Sequence, residues 1–168
     1  MVPTIRLQRS LHVPAELASR ALGDILEAIA QRSGPWRGFA LHVGLGDLRL
    51  PDVGYVAVPI NLSVKKAEQK DAFEIAFHAE HLSSAFPVFT GTLLLESTQL
   101  GESSLHLDGS YELPMQVFGA LIDKALIPHV ATKSLENLVD ELAAACQARV
   151  DQREADYAQY HYYTNLHQ

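Results

Sequence analysis

One cysteine, Cys146, is too few for an internal disulfide, and nothing else in the sequence asks for an oxidising compartment. Its neighbours Ala143, Ala144 and Ala145 predict a packed, buried thiol rather than a reactive one. A long apolar run is missing too, so no membrane-spanning segment is expected. Basic residues are scarce: 13 Lys and Arg against 20 Asp and Glu give a formal charge of −7. That balance argues against a nucleic-acid partner, which needs a concentrated basic surface, and against an anionic membrane. The opening MVPTIRLQRSLHV has no continuous apolar stretch behind a basic start, so a secretory signal is not expected and a cytoplasmic location is. GLGD (44–47) lacks the glycine spacing and strand–turn–helix flanks of a phosphate loop. No serine sits in a nucleophile elbow. HAEH (78–81) resembles half a metal site, but residues three apart on a strand point to opposite faces, and no third ligand follows at metal spacing. No catalytic residue, metal ligand or cofactor is therefore predicted.

What is present is periodicity. A chain of 168 residues is most simply one domain, burying roughly 70% of its unfolded surface without a staple. Thr4 to Val13 alternates, with Ile5, Leu7, Leu11 and Val13 on one face. After Pro14, Leu17, Ala21, Leu22, Ile25, Leu26 and Ile29 recur at helical spacing, and Gly34 is the expected stop. Phe39 to Leu50 reads as a bulged strand or two short pieces. Tyr55 to Val64 alternates, although Pro59 argues for an edge or a bulge. Ala72 to Glu80 puts Phe73, Ile75, Phe77 and Ala79 on one side. FPVFTGTLLLES (86–97) adds Phe89, Gly91, Leu93 and Leu95, and Ser104 to Leu113 adds Leu105, Leu107, Gly109, Tyr111 and Leu113. Past Pro114 the period changes to about 3.6: Val117, Phe118, Leu121, Ile122 and Ala125 form one stripe. Leu135, Leu138, Val139, Leu142 and Cys146 form another beyond Pro128, where a kink or division is expected.

The order is strand, helix, five or six strands, then a long helix. Short turns make the middle strands antiparallel neighbours, and one-sided alternation means one face is covered. Gly91 and Gly109 lie on the covered side of adjacent strands, which lets the sheet curve or a helix approach. The prediction is an α+β fold: a curved antiparallel sheet gripping a C-terminal helix.

This order, with FPVFTGTLLLES, LHLDGSYELP and FGALIDKALIPHVATKSLENLVDELA, resembles the START-like (SRPBCC) helix-grip superfamily of polyketide cyclases, lipid-transfer domains, pollen allergens and quinone-binding chaperones. The resemblance spans roughly residues 4 to 150. Members usually carry two short helices after the first strand, where one longer helix is the simpler reading here. The domain is thus set at 1–150, with 151–168 a polar, tyrosine-rich extension.

The resemblance implies a cavity between sheet and helix that holds a small hydrophobic ligand such as a lipid, a quinone or a polyketide-like molecule. Phe73, Ile75, Phe77, Phe89, Leu93, Leu95, Leu107, Tyr111, Leu121 and Leu135 are the expected lining. Tyr111 is its polar member, able to bond a ligand carbonyl or the backbone. Binding without catalysis is the expected function. A cyclase or hydratase using the same cavity is one alternative, and an interaction module with a filled core is another. Tyr157, Tyr160, His161 and Thr164 fall on one helical stripe of the tail, which fits a homodimer contact, a flap over the cavity mouth or a frayed end.

Overall fold

The computed structural model describes residues 2–37, 39–44, 46, 54–81, 88–112 and 126–166, except for the side chains at 35, 126, 127 and 160–166. Strand β1 (Thr4–Leu11) leads into helix α1 (Ala15–Ala30) and a single 3₁₀ turn, Gly34–Trp36. Strands β2 (Ala40–Gly44), β3 (Tyr55–Lys66), β4 (Ala72–Ala79), β5 (Val88–Gln99) and β6 (Glu102–Glu112) follow, and helix α2 (Leu126–Leu166) closes the chain. The strands form one antiparallel sheet in the order β1-β6-β5-β4-β3-β2. Chain neighbours pair throughout, except that β1 crosses to pair with β6.

The alternation read from the sequence is the alternation of burial. On β4, Phe73, Ile75, Phe77 and Ala79 are buried, and so are Phe89, Leu93 and Leu95 on β5 and Leu105, Leu107 and Tyr111 on β6. The opposite face carries exposed ion pairs such as Arg6–Asp108 at 2.7 Å. Exposed pairs of this kind contribute little to stability.

Local chemistry explains how the structure treats the residues that the sequence marks as breakers. Helix α1 ends before Gly34. Arg32 adopts φ 52°, the Ser33 N–H donates to the Ala28 carbonyl at 2.9 Å, and the Arg32 N–H donates to Ile29 at 3.1 Å. This is a Schellman cap, with arginine where glycine is usual. The Arg32 guanidinium bonds to Asn61 and Glu80, which ties the strained residue to the sheet. From Leu126 onward α2 is one continuous helix with Pro128 near the start of its described part, so the expected kink or division between the two apolar stripes falls at the edge of the described residues. The stripe expected at residues 117–125 lies outside the described residues. Pro59 sits on an interior strand, but its backbone faces β4 just past the last β3–β4 pair, Ile60↔Ala79, so its missing N–H falls at a ladder end. Its carbonyl still accepts from the Glu80 N–H at 2.8 Å.

Helix α2 spans the gap between the two edge strands. On the β1 side Asp140 pairs with Arg9, and the Gln147 Oε1 accepts the His12 N–H at 3.0 Å. On the β2 side Asn137 donates to the His42 carbonyl at 2.8 Å, and Glu141 lies 2.7 Å from the His42 Nδ1. Side chains of α2 thereby occupy backbone groups that sheet edges otherwise leave open. Asp24 of α1 accepts from Arg149 at 3.2 Å and Arg153 at 2.6 Å, fixing the helices to each other. Beneath these contacts Leu135, Leu138, Val139, Leu142 and Cys146 are buried.

Burial pushes the Cys146 thiol up to about 12. The thiolate is the reactive form, so native protein at pH 7 is expected to resist Ellman's reagent and to yield one thiol per chain only after unfolding. Rapid labelling of the folded chain would show that α2 does not seal this position.

Candidate ligand-binding site

Register divides the inner face into two regions. Phe73, Leu93 and Leu107 stand in one row across β4, β5 and β6. That row lies under α1, which packs on β3, β5 and β6. A Cβ placed on Gly23 of α1 would lie 3.2 Å from the Phe73 Cζ, so ring and helix backbone are already in contact. Leu95 and Leu105 of the sheet and Leu22, Ile25 and Leu26 of α1 belong to the same buried cluster.

The second region lies toward the end of the sheet where α2 begins. There Phe77, Phe89 and Tyr111 stand in register on β4, β5 and β6. The Phe77 and Phe89 rings stack with centroids 5.0 Å apart. Ile75, Gly91 and Gly109 form the adjoining row. Both glycines are required by the Phe89 ring and by the neighbouring backbone. A Cβ at Gly91 would lie 2.7 Å from the Phe89 Cζ and 2.7 Å from the Asp108 carbonyl oxygen. One at Gly109 would lie 2.5 Å from the ring and 2.5 Å from the Thr90 oxygen. The space that side chains give up here is occupied by Phe89, not by a helix.

Neither helix packs extensively on β4, and α2 rests on β1 and β2 with only slight contact to β6. The rings of Phe77 and Phe89 are nonetheless 4% and 1% exposed. Ala131, Ser134, Leu135 and Leu138 are the described buried residues of α2 nearest its start, and the Ser134 hydroxyl is satisfied by the Val130 carbonyl at 2.5 Å. Among the expected lining residues, Ile75, Phe77, Phe89 and Tyr111 come together in this region, and Leu135 lies on the covered face of α2. Phe73, Leu93, Leu95 and Leu107 belong to the half under α1. Leu121 lies outside the described residues.

The inner positions of β4, β5 and β6, from Phe73 to Ala79, Phe89 to Leu95 and Leu105 to Tyr111, carry one polar side chain, Tyr111. Its phenol is held above the usual tyrosine range by burial. Among the described residues its hydroxyl has no hydrogen-bond partner. Every fully sealed side-chain nitrogen or oxygen among those residues does have one, so the Tyr111 oxygen borders space that water can enter. Buried phenols normally find a partner. An apolar wall with one unsatisfied donor can hold an uncharged molecule by burial and fix its orientation at a carbonyl. No group of three or more metal-ligating side chains forms among the described residues. No helix among them is long and apolar enough to cross a membrane.

Neither a family model nor a curated protein matches the sequence. Solved structures do match it in shape. The Zhui aromatase/cyclase from Streptomyces sp. R1128 is 16% identical with a TM-score of 0.52, over 89% of this chain and 92% of that one. A norcoclaurine synthase point mutant from Thalictrum flavum, solved with a transition-state analogue, is 9% identical with a TM-score of 0.53, over 92% and 97%. The protein TTHA0849 from Thermus thermophilus is 14% identical with a TM-score of 0.53, over 90% and 99%. At these identities the likeness concerns architecture: a curled six-stranded antiparallel sheet around a long C-terminal helix, the START-like helix-grip fold.

Proposed function

We propose that this helix-grip chain binds a small, uncharged, hydrophobic molecule bearing a hydrogen-bond acceptor, between the Phe77–Phe89–Tyr111 row and the first turns of α2. The observation that carries the reading is the Tyr111 hydroxyl, a donor without a partner among the described residues in an otherwise apolar wall. Apolar burial supplies the affinity, at roughly 25 cal/mol per Å² before ordering costs are deducted. The phenol supplies orientation. Binding without chemistry is favoured because the inner positions of β4, β5 and β6 hold no carboxylate or imidazole to move a proton. An aromatase/cyclase and a norcoclaurine synthase share the fold, so catalysis in the same space is the second reading.

Two probes test the proposal. N-phenyl-1-naphthylamine, which is uncharged and fluoresces when buried, should saturate the native protein at one site. Menadione, which is planar and carries two carbonyls, should compete with it. Tyr111→Phe should weaken menadione about tenfold, the worth of roughly one hydrogen bond, and leave the naphthylamine unchanged. Absence of saturable uptake of either probe by folded protein would defeat the proposal. Equal loss of both probes would remove Tyr111 from its role as anchor.

A further inference from the structure

Between the aromatic row of the candidate site and the row under α1 lies one that is short of side chains. From β3 to β1 it reads Val64, Ile75, Gly91, Gly109 and Ile5. Two neighbouring strands in the middle of the sheet supply nothing to it, although glycine weakens a strand interior and an aliphatic side chain would pack there. The Phe89 ring occupies the trough instead. Its Cζ lies 2.7 Å from an ideal Cβ on Gly91 and 2.5 Å from one on Gly109. The ring therefore runs along the strand, low over the next row, rather than standing up from its own. Beyond it come the buried Leu93 and Leu107 of the row under α1. Phe89 is also the cross-strand neighbour of Tyr111. The glycine pair thus lays the ring down beside the phenol. On β5 and β6 that ring is all that separates the phenol's row from Leu93 and Leu107.

We infer that Phe89 is the specificity-determining residue of the site: its ring sets how far a ligand anchored at Tyr111 reaches along the sheet. The inference rests on the binding reading above. Position 89 suits the role because the trough cannot close without the ring. After loss of a core side chain, its neighbours normally relax into part of the space. Here two flanking positions have no side chain to relax, and both backbones are held by pairing on either side. The chamber left by a smaller residue is apolar, walled by Ile75, Leu93 and Leu107, floored by Gly91 and Gly109, and open toward Tyr111. Apolar cavities of about one ring stay dry and take up benzene. The ligand that gains from such a change is a rigid, uncharged, planar molecule one fused ring longer than the parent protein prefers, with its carbonyl still at the phenol.

The test compares the full-length parent with Phe89→Ala and with Phe89→Leu, which keeps more of the packing and serves if the alanine variant does not fold. Benzene should raise the melting temperature of Phe89→Ala by about 2 °C or more and leave that of the parent unmoved. 1,4-Anthraquinone carries the carbonyl pair of menadione and one further fused ring. Displacement of N-phenyl-1-naphthylamine should show its affinity relative to menadione rising at least about tenfold in Phe89→Leu, and further in Phe89→Ala. Adding Tyr111→Phe to either variant should weaken the anthraquinone again, which shows that its carbonyl still meets the phenol. An unchanged ratio in both variants, with menadione bound by the parent, overturns the inference and leaves the binding reading standing. Benzene without effect on folded Phe89→Ala shows that the trough closes, and overturns it too. A parent that takes up neither quinone nor the naphthylamine defeats the binding reading and this inference with it.

Discussion

Gly109→Ala is expected to cost about 3 kcal/mol of folding stability, seen as a lower urea midpoint at unchanged slope. The added methyl would stand 2.5 Å from the Phe89 ring, 2.5 Å from the Thr90 oxygen and 2.8 Å from the Gly91 Cα. A ring can swing aside, but two pieces of paired backbone in the middle of a sheet cannot. Phe89→Ala alone should cost about 3–5 kcal/mol, because it empties a position that is 1% exposed. The two changes share an obstacle, so the double variant should lose less than their sum. It should not return to the level of Phe89→Ala alone, because the backbone obstacles remain. A Gly109→Ala protein within about 0.5 kcal/mol of the parent would mean that the sheet does not close over this glycine pair.

Val139→Asp should be still more damaging, at about 4 kcal/mol or beyond at pH 7. Val139 is 0% exposed on the gripped face of α2, among apolar neighbours. The sign of its pH dependence separates charge from shape. Burial raises the folded pKa of the introduced acid above its unfolded value near 4, so the folded state holds the proton more tightly. The penalty of Asp relative to Val139→Asn should therefore be small below about pH 4 and grow as pH rises until the folded form ionises. Chemical denaturation of both variants at several pH values measures it. Parallel pH profiles for the two would show water reaching the α2–sheet seam.

The parts of the fold legible in the sequence were those written in local period. Alternation from Phe73 to Tyr111 assigned the inner face residue by residue, because a strand repeats every two positions and a wrong parity would bury its charges. The partner of each face was not local and was not legible. The sequence points to the helices as the cover, the last and longest above all, yet Phe73 and Leu93 lie under α1, and α2 packs on β1 and β2. The side chains that make those contacts, Asn137, Asp140, Glu141 and Gln147, read only as a polar helix face. Their partners Arg9, His12 and His42 lie 95 to 135 positions away in sequence. Arg32 carries no terminus signal to rival the glycine two residues later, and only the backbone shows that the left-handed turn of the cap falls on it. Within the candidate site the sequence marks Tyr111 as the inward polar residue. It does not show that the hydroxyl finds no partner among the described residues.

The crossover that seats β1 beside β6 also sets a timetable. Every other strand finds its partner within a few dozen residues, but Thr4 faces Ser110 and Leu11 faces Ser103. A ribosome must therefore release most of the chain before its first strand has anywhere to go, and α2 emerges later still. Contacts this distant make for slow folding, on the side of the scale where non-local pairing dominates. During that wait the first strand is the segment in need of shelter, and a chaperone met on the way out would find it there.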